Sequence, residues 1–164
     1  MVADRAPADP SAFVEWVRPY LRPMSRLAAR LAPEADRDDV VQESLARAWA
    51  KRNQYDGSRG SPSAWLLAIT ADQARKAVRR RLPVVPLKDA LSSPDTSGRS
   101  DDRLDVERAI RRLPVRQRLA VDCFYFADLS VAETAAVMGC SEGTVKSTLA
   151  DARARIRLLL EVPA

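Results

Sequence analysis

A proline- and serine-rich interruption at residues 82–103 is the feature that most limits how this chain can fold. Its sequence, LPVVPLKDALSSPDTSGRSDDR, holds three prolines, one glycine and four serines. Proline resists helix interiors, and no continuous helical face can be drawn through this stretch. We interpret residues 83–103 as a linker. The 164-residue chain is therefore expected to form two small domains, residues 1–82 and residues 104–164.

The sequence on both sides of the linker is helical in character. Apolar side chains recur at three- and four-residue steps, which is the period of a helix with one buried face. Ser63 is a plausible N-cap for the second helix of the first half. The predicted helices are Asp39–Trp49, Ala64–Arg81, Leu104–Leu113, Val115–Ala127, Val131–Met138 and Glu142–Leu160. Strand patterns are nearly absent, so the predicted fold class is all-α: two small helical domains joined by a flexible linker.

The composition excludes several classes of site. Histidine is absent, which removes Ser-His-Asp and Cys-His catalysis and zinc sites that use histidine. Two cysteines, Cys123 and Cys140, cannot form a four-thiolate metal site or a disulfide framework. No phosphate-binding loop or nucleophile–base pair is present. We expect no enzymatic activity, no metal, no cofactor and no small-molecule substrate.

Residues 1–12 lack the basic segment and apolar core of a signal peptide. The longest strongly apolar run, residues 64–69, is far shorter than the ~20 residues of a membrane helix. We therefore expect a cytoplasmic protein that does not insert into a membrane. The net charge of +5 and the pI of about 9.7 agree with binding to nucleic acid. The whole charge excess lies in residues 1–82.

Residues 130–150, SVAETAAVMGCSEGTVKSTLA, have the pattern of a helix-turn-helix. Ser130 and Glu133 form a capping box, and Gly139 falls where the turn needs a left-handed backbone. Ser141 would cap a second helix, whose Val145 and Leu149 would point back into the core. The first turns of that helix would face base edges in the major groove. The candidate DNA-reading residues are Glu142, Thr144, Lys146, Ser147 and Thr148. A plain helical hairpin with an accidental glycine is the alternative.

Two segments resemble bacterial sigma factors. Residues 36–81 are similar to the second conserved region of that family, and residues 109–160 are similar to the fourth. The most specific pieces are Asp39–Glu43 (DVVQE), Trp65–Ile69 (WLLAI) and Gly143–Ser147 (GTVKS). With only these two regions and a short linker, the chain resembles the extracytoplasmic-function (ECF) group of the sigma-70 family.

The resemblance implies that the chain binds core RNA polymerase and directs initiation at promoters by recognising −10 and −35 elements. It implies that the Asp39–Trp49 helix binds the coiled coil of the polymerase β′ subunit and that the β subunit of polymerase is also contacted. The other implied partners are promoter DNA and an anti-sigma factor. The implied core-binding residues are Asp38, Asp39, Gln42, Glu43, Leu45 and Trp49. The implied −10 residues are Asn53, Gln54, Tyr55 and Asp56 in a base pocket, with Asp72, Arg75, Lys76, Arg79 and Arg80. The implied −35 residues are Ser141, Glu142, Thr144, Lys146, Ser147, Thr148 and Arg153.

Some positions depart from the family pattern. Many members have Asn and Asp where this chain has Asp72 and Lys76, and Arg where it has Thr148 and Asp151. A promoter sequence is therefore not transferred from the family. Trp65 is expected in the core. The two cysteines are expected to be small buried hydrophobes, with a redox pair as the alternative.

Two other functions compete with the sigma-factor hypothesis. A stand-alone helix-turn-helix regulator usually dimerises, but no dimer helix is evident and the DVVQE helix would have no role. An adaptor that binds polymerase or an anti-sigma protein without reading promoters would suit Thr148 and Asp151.

Overall fold

The computed structural model describes residues 4–81 and 101–161, and its helices occur in two groups. The first group precedes the predicted linker: α1 (Pro10–Val17), α2 (Leu21–Leu31), α3 (Arg37–Ala50) and α4 (Pro62–Arg81). The second group follows it: α5 (Asp101–Arg111), α6 (Val115–Val121), α7 (Val131–Met138) and α8 (Glu142–Glu161). No strand occurs within these ranges, in agreement with the all-α prediction.

Helices α1 and α2 are present in the structure but are not among the helices predicted from the sequence. The side chain of Asp9 accepts a hydrogen bond from the backbone N–H of Ala12 and caps α1. Met24 and Leu27 are fully buried one turn apart on α2, at the spacing that a helix with one buried face requires. Both helices pack on α3 or α4 and complete the first group.

Three predicted boundaries need correction. Helix α4 begins at Pro62, because the hydroxyl of Ser61, and not Ser63, accepts the hydrogen bond from the N–H of Ala64. Helix α5 begins at Asp101 and ends at Arg111, so it takes up the last residues of the predicted linker. The rest of that linker, residues 83–100, lies outside the described residues.

The predicted single helix Val115–Ala127 is also corrected. The α-helical part ends at Val121, and residues Asp122–Phe126 form a π-helical turn in which the N–H of Ala127 donates to the carbonyl of Asp122. This wider turn places Asp122 and Cys123 in buried positions.

The buried side chains form clusters that do not follow the two groups. One cluster joins α1 to α4 and also contains four residues of the second group: Cys123, Ala127, Leu129 and Val137. Another lies within the second group and includes Ile110, Val145 and Leu149. The two groups therefore share a hydrophobic core. Among the described helices, none is long and apolar enough to cross a bilayer.

Candidate nucleic-acid interface

Helix α3 presents polar side chains to solvent along one side. Asp36 caps its N-terminus by accepting hydrogen bonds from the N–H groups of Asp38 and Asp39. The predicted core-binding residues Asp38, Asp39, Gln42 and Glu43 are all exposed. Carboxylates in the first turn are favoured by the helix dipole. The result is an accessible acidic surface at the start of α3.

Two predicted core-binding residues on the same helix face the interior. Leu45 and Trp49 are half-buried and pack on the first cluster, with the Trp49 ring 5.1 Å from that of Phe13. The Arg52 guanidinium lies 3.9 Å from the Trp49 ring centroid and covers it. In this structure the two side chains hold α3 on its neighbours with their buried part, and their contact with core polymerase stays a prediction.

The loop before α4 is fixed by Tyr55. Its ring is only 3% exposed and lies 5.3 Å from each of the rings of Trp16 and Trp65, while its hydroxyl donates to the carbonyl of Gly60. Burial raises the pKa of Tyr55. The ring of Tyr55 is thus enclosed by other side chains of the protein, and its use as a base-binding side chain stays a prediction. Trp65 packs on the core, as predicted.

The other loop residues predicted to bind DNA are accessible. Asn53 and Gln54 are exposed. Asp56 is also exposed, but it accepts hydrogen bonds from the hydroxyl and N–H of Ser58. These bonds lower the pKa of Asp56. Asp56 therefore shapes the turn, while the two amides are open to a ligand.

Two of the predicted −10 residues on α4 are paired with each other. Lys76 contacts Asp72 at 2.9 Å, one helical turn away, and its hydrogen bond lowers the pKa of Asp72. Two residues where this chain departs from the family pattern thus form an ion pair on one helix face.

A second ion pair links α4 to α3. Arg80 donates to both oxygens of Glu43 at 3.1 and 3.2 Å. Arg75 and Arg79, by contrast, are exposed and have no ion pair among the described residues. The predicted polymerase-binding and DNA-binding surfaces therefore meet at Glu43 and Arg80.

The helix-turn-helix has the predicted local geometry. Ser130 and Glu133 form the capping box, with the Ser130 N–H donating to the Glu133 carboxylate at 2.8 Å. Gly139 has φ of 64°, which is the left-handed conformation. The Ser141 hydroxyl accepts from the N–H of Thr144 at 3.1 Å and caps α8. This confirms the turn and the cap.

The first turns of α8 form a polar surface. Val145 and Leu149 are buried as predicted and fix the rotation of the helix. Ser141, Glu142, Thr144, Lys146 and Ser147 are consequently exposed, while Thr148 is half-buried. Arg153 is exposed and donates to the hydroxyl of Tyr125 at 3.1 Å. The exposed residues lie where the second helix of this motif contacts base edges.

Contacts between the two groups of helices were not anticipated from sequence. Arg30 on α2 donates to Asp122 at 2.6 Å and to Glu107 at 3.1 Å. Ser63 on α4 donates to the carboxylate of Glu133 on α7. No local pattern predicts such pairs, because the partners are separated by 70 or more residues.

The two cysteines are free and belong to different clusters. Cys123 is fully buried, as predicted, and burial raises its pKa to about 12. Cys140 is half-buried against the second cluster. Within the described ranges, no group of three or more Cys, Asp or Glu side chains is arranged to hold a metal ion.

Comparison with known families matches both halves of the chain. Residues 16–82 match Sigma-70 region 2, and residues 103–156 match Sigma-70 region 4. The ECF RNA polymerase sigma factor SigM of Mycobacterium tuberculosis is 34% identical over 165 residues, covering 98% of this chain and 83% of the relative. The RNA polymerase sigma-E factor of Streptomyces coelicolor is 34% identical over 149 residues, covering 88% and 84%.

Solved structures of two other proteins have a similar fold over most of the chain. CnrH, solved with the cytosolic domain of CnrY, superposes with a TM-score of 0.66 at 26% identity, covering 95% of this chain and 92% of CnrH. RpoE of Bartonella quintana, solved with the anti-sigma factor NepR, gives a TM-score of 0.63 at 28% identity, covering 93% and 98%. With both regions matched in order and relatives aligned over nearly the full chain, this protein belongs to the ECF RNA polymerase sigma factors, which direct promoter-specific initiation of transcription.

Proposed function

We propose that the two halves divide the work of initiation. Residues 1–82 bind core polymerase and engage the −10 element, and residues 104–164 read the −35 element. The observation that carries this division is the pair of separate polar surfaces: an acidic one on α3 and the exposed first turns of α8. A stand-alone helix-turn-helix regulator would use only the second surface.

The polymerase contact is assigned to the exposed side of α3. Asp38, Asp39, Gln42 and Glu43 offer carboxylate and amide groups to a basic partner, the β′ coiled coil. Charge-assisted hydrogen bonds of this kind strengthen when partly desolvated. Leu45 and Trp49 support the surface from behind by packing on the core.

The −10 contact is assigned to the loop and the exposed part of α4. Asn53 and Gln54 carry donors and acceptors that suit the edge of an unstacked base. Arg75 and Arg79 carry charges that suit phosphates. Such contacts make affinity fall with salt, with a slope of about −0.9 per neutralised duplex phosphate.

The −35 contact is assigned to α8. Lys146, Thr144 and Ser147 supply hydrogen-bond donors, and Glu142 supplies an acceptor, on the exposed first turns. The buried Val145 and Leu149 set which side of the helix faces DNA. No catalytic group is assigned to the chain, since bond formation belongs to the polymerase with which it acts in the cytoplasm.

An anti-sigma factor is proposed as a further partner. The similar proteins CnrH and RpoE were solved with CnrY and with the anti-sigma factor NepR, respectively. The coverage of both halves in those alignments supports a partner of the same class for this chain.

Run-off transcription tests the proposed function. Purified core polymerase is assayed on a fragmented genomic library with and without this protein. New, specific transcripts are expected, and their aligned start sites give the −10 and −35 elements. Co-elution with core polymerase without new transcripts would favour the adaptor alternative. Neither transcripts nor co-elution would favour a stand-alone DNA-binding protein.

A further inference from the structure

A cavity of about 930 Å³ lies between the two groups of helices. Its walls are side chains of α2, α4, α5 and α6, together with Asp122 of the π-helical turn. This volume falls within the range of ~300–1,000 Å³ that is usual for sites that bind small molecules. The cavity therefore has room for one organic molecule of the size of a cofactor.

Arginine is the most frequent residue in the wall of this cavity, which is named the arginine cleft below. Six of its lining residues are arginines: Arg30, Arg75, Arg79, Arg103, Arg111 and Arg118. Two lining residues are acidic, Glu107 and Asp122, so the wall carries a net charge of +4. A cleft lined by charges of one sign concentrates counter-ions. The arginine cleft thus has the electrostatics of an anion-binding site.

One arginine already engages both acidic residues of the cleft. Arg30 donates to Asp122 at 2.6 Å and to Glu107 at 3.1 Å. Within residues 4–81 and 101–161, the other five arginines form no ion pair. Four of these five are exposed and Arg118 is half-buried. Their guanidinium groups are therefore accessible to a ligand.

Phosphate is the anion that suits these side chains. The planar guanidinium group offers two parallel N–H donors to phosphate oxygens, and these charge-assisted hydrogen bonds are short and strong. Arg75 and Arg79 are one turn apart on α4, while Arg103 and Arg111 are about two turns apart on α5. Both groups of helices thus supply cations to the cleft. A ligand with two or three linked phosphates would balance more of this charge than a single phosphate.

Most of the other residues in the wall are apolar. They include Leu31, Val78, Leu104, Val115 and Leu119. An inorganic phosphate chain would leave this apolar surface in contact with water, whereas an organic ring would cover it. Guanidinium groups also stack on the faces of aromatic rings. The wall therefore favours a ligand in which a flat ring is joined to phosphates.

We propose that the arginine cleft binds a nucleoside polyphosphate. Its phosphates contact Arg103, Arg111 and Arg118 of the second group of helices and Arg75 and Arg79 of the first. Its base lies against the leucine and valine side chains of the wall. The site goes beyond the proposed function, because that function assigns no small molecule and leaves the three arginines of the second group without a role.

Isothermal titration calorimetry of the full chain tests the proposal. The probes are ATP, GTP, inorganic triphosphate, adenosine and a short single-stranded oligonucleotide of thymidines, all at physiological salt. We expect one ATP or GTP to bind per chain, about tenfold or more tightly than inorganic triphosphate or adenosine, because only a nucleotide uses both the cations and the apolar wall.

Three results of the titrations would overturn the proposal. The first is the absence of saturable binding of both nucleotides. The second is nucleotide binding no tighter than that of inorganic triphosphate, which would indicate attraction of anions alone. The third is binding of the oligonucleotide without binding of either nucleotide, which would assign the arginines to DNA.

Substitutions on α5 locate the site. Arg103→Ala combined with Arg111→Ala should weaken nucleotide binding by about tenfold or more, because two charge-assisted contacts are lost. Arg108→Ala combined with Arg112→Ala is the matched control: it removes the same charge from exposed positions outside the cleft and should change the affinity by about twofold at most. Equal losses in the two double variants would show a response to net charge only and would contradict the site.

A second variant keeps every arginine in place. Val115 is 71% exposed and begins α6, where the helix dipole favours a carboxylate, so Val115→Glu should keep the fold. Its negative charge in the cleft should weaken nucleotide binding by about fivefold or more. Val14→Glu on α1, also exposed and outside the cleft, is the control and should bind as wild type does. Wild-type affinity in a Val115→Glu variant that is folded by circular dichroism would overturn the proposal.

Discussion

Arg30 and Asp122 form an ion pair of 2.6 Å between side chains that are 92 residues apart in the chain. Burial raises the pKa of Asp122, and Arg30 opposes that rise. Burial also acts to lower the pKa of Arg30, but the carboxylates of Asp122 and Glu107 outweigh it and raise that pKa. The pair therefore keeps two charges in a half-buried interface.

Removing one partner of this pair should open the interface. Arg30→Ala leaves the buried Asp122 without its hydrogen-bonded cation, which is strongly unfavourable while the two groups of helices are packed together. We expect the alkylation rate of Cys123 in the full chain to rise by about tenfold or more. Mass spectrometry of the labelled protein measures this rate, with the half-buried Cys140 as an internal reference. Arg22→Ala, an exposed arginine on the same helix, is the matched control and should change nothing. Equal rates in the two variants would contradict the role of Arg30.

Asp39→Arg should abolish binding to core polymerase. The substitution places a cation on the exposed side of α3 against a basic partner, a juxtaposition that costs several kcal/mol. We expect the affinity for core polymerase to fall about a hundredfold or more, measured by co-elution, with the fold intact by circular dichroism. Glu15→Arg on α1 makes the same charge change at another exposed position. Near-normal binding by a folded Asp39→Arg variant would exclude the proposed contact.

Lys146→Ala should weaken promoter use without changing affinity for core polymerase. Lys146→Ala removes one positive charge from the proposed DNA-facing surface, so the salt slope of DNA binding should fall by about one at most. Titration of labelled promoter DNA at several salt concentrations measures the slope. Arg157→Ala, near the far end of α8, is the control. A loss of core affinity in Lys146→Ala would contradict the division of roles between the halves.

Gly139→Ala should destabilise the protein by about 1 kcal/mol, because a side chain is disfavoured at φ of 64°. The expected loss comes from the backbone alone, since nothing lies within 4 Å of the added Cβ. Urea unfolding measures it. Gly143→Ala, in the first turn of α8, should be neutral or stabilising by up to about 1 kcal/mol, because alanine favours helix. Equal effects at both positions would argue against backbone strain at the turn.

The contribution of Glu133 should depend on pH. Burial acts to raise its pKa, but hydrogen bonds from Ser63 and Ser130 outweigh burial and lower it. A carboxyl whose pKa is lower in the folded state stabilises the fold above its unfolded pKa, and this stabilisation is lost as the pH falls through the folded value. Wild type should exceed Glu133→Gln in urea-unfolding free energy by about 1 kcal/mol at pH 6, and the difference should shrink below about pH 4.5.

A second substitution checks the cause of this pH dependence. Ser63→Ala removes one hydrogen-bond donor that lowers the pKa of Glu133 in the folded state, so the pH-dependent part of the stability should be smaller than in wild type and its loss should be complete at a higher pH. If the difference in unfolding free energy between wild type and Glu133→Gln stayed constant with pH, ionisation of Glu133 would not be the cause of the pH dependence.

The local parts of the fold could be predicted from the sequence. Helix α7 has the predicted limits, and the capping box, the left-handed Gly139 and the buried Val145 and Leu149 are confirmed. Caps and turns depend on residues within four positions of one another, so sequence spacing is sufficient to identify them. Helix α2 also carries such a pattern in Met24, Leu27 and Leu31, although it is not among the predicted helices.

The long-range arrangement was decided by tertiary structure. Tyr55, Leu45 and Trp49 have side chains that suit either a binding surface or a core, and only packing against Trp16, Trp65 and Phe13 places them inside. The sequence by itself determined two helical halves and a helix-turn-helix, because period and capping are local. The contact of Arg30 with Asp122 and the burial of Cys123 depend on which faces meet in space. That choice is made by shape and charge complementarity between distant segments, which no local pattern encodes.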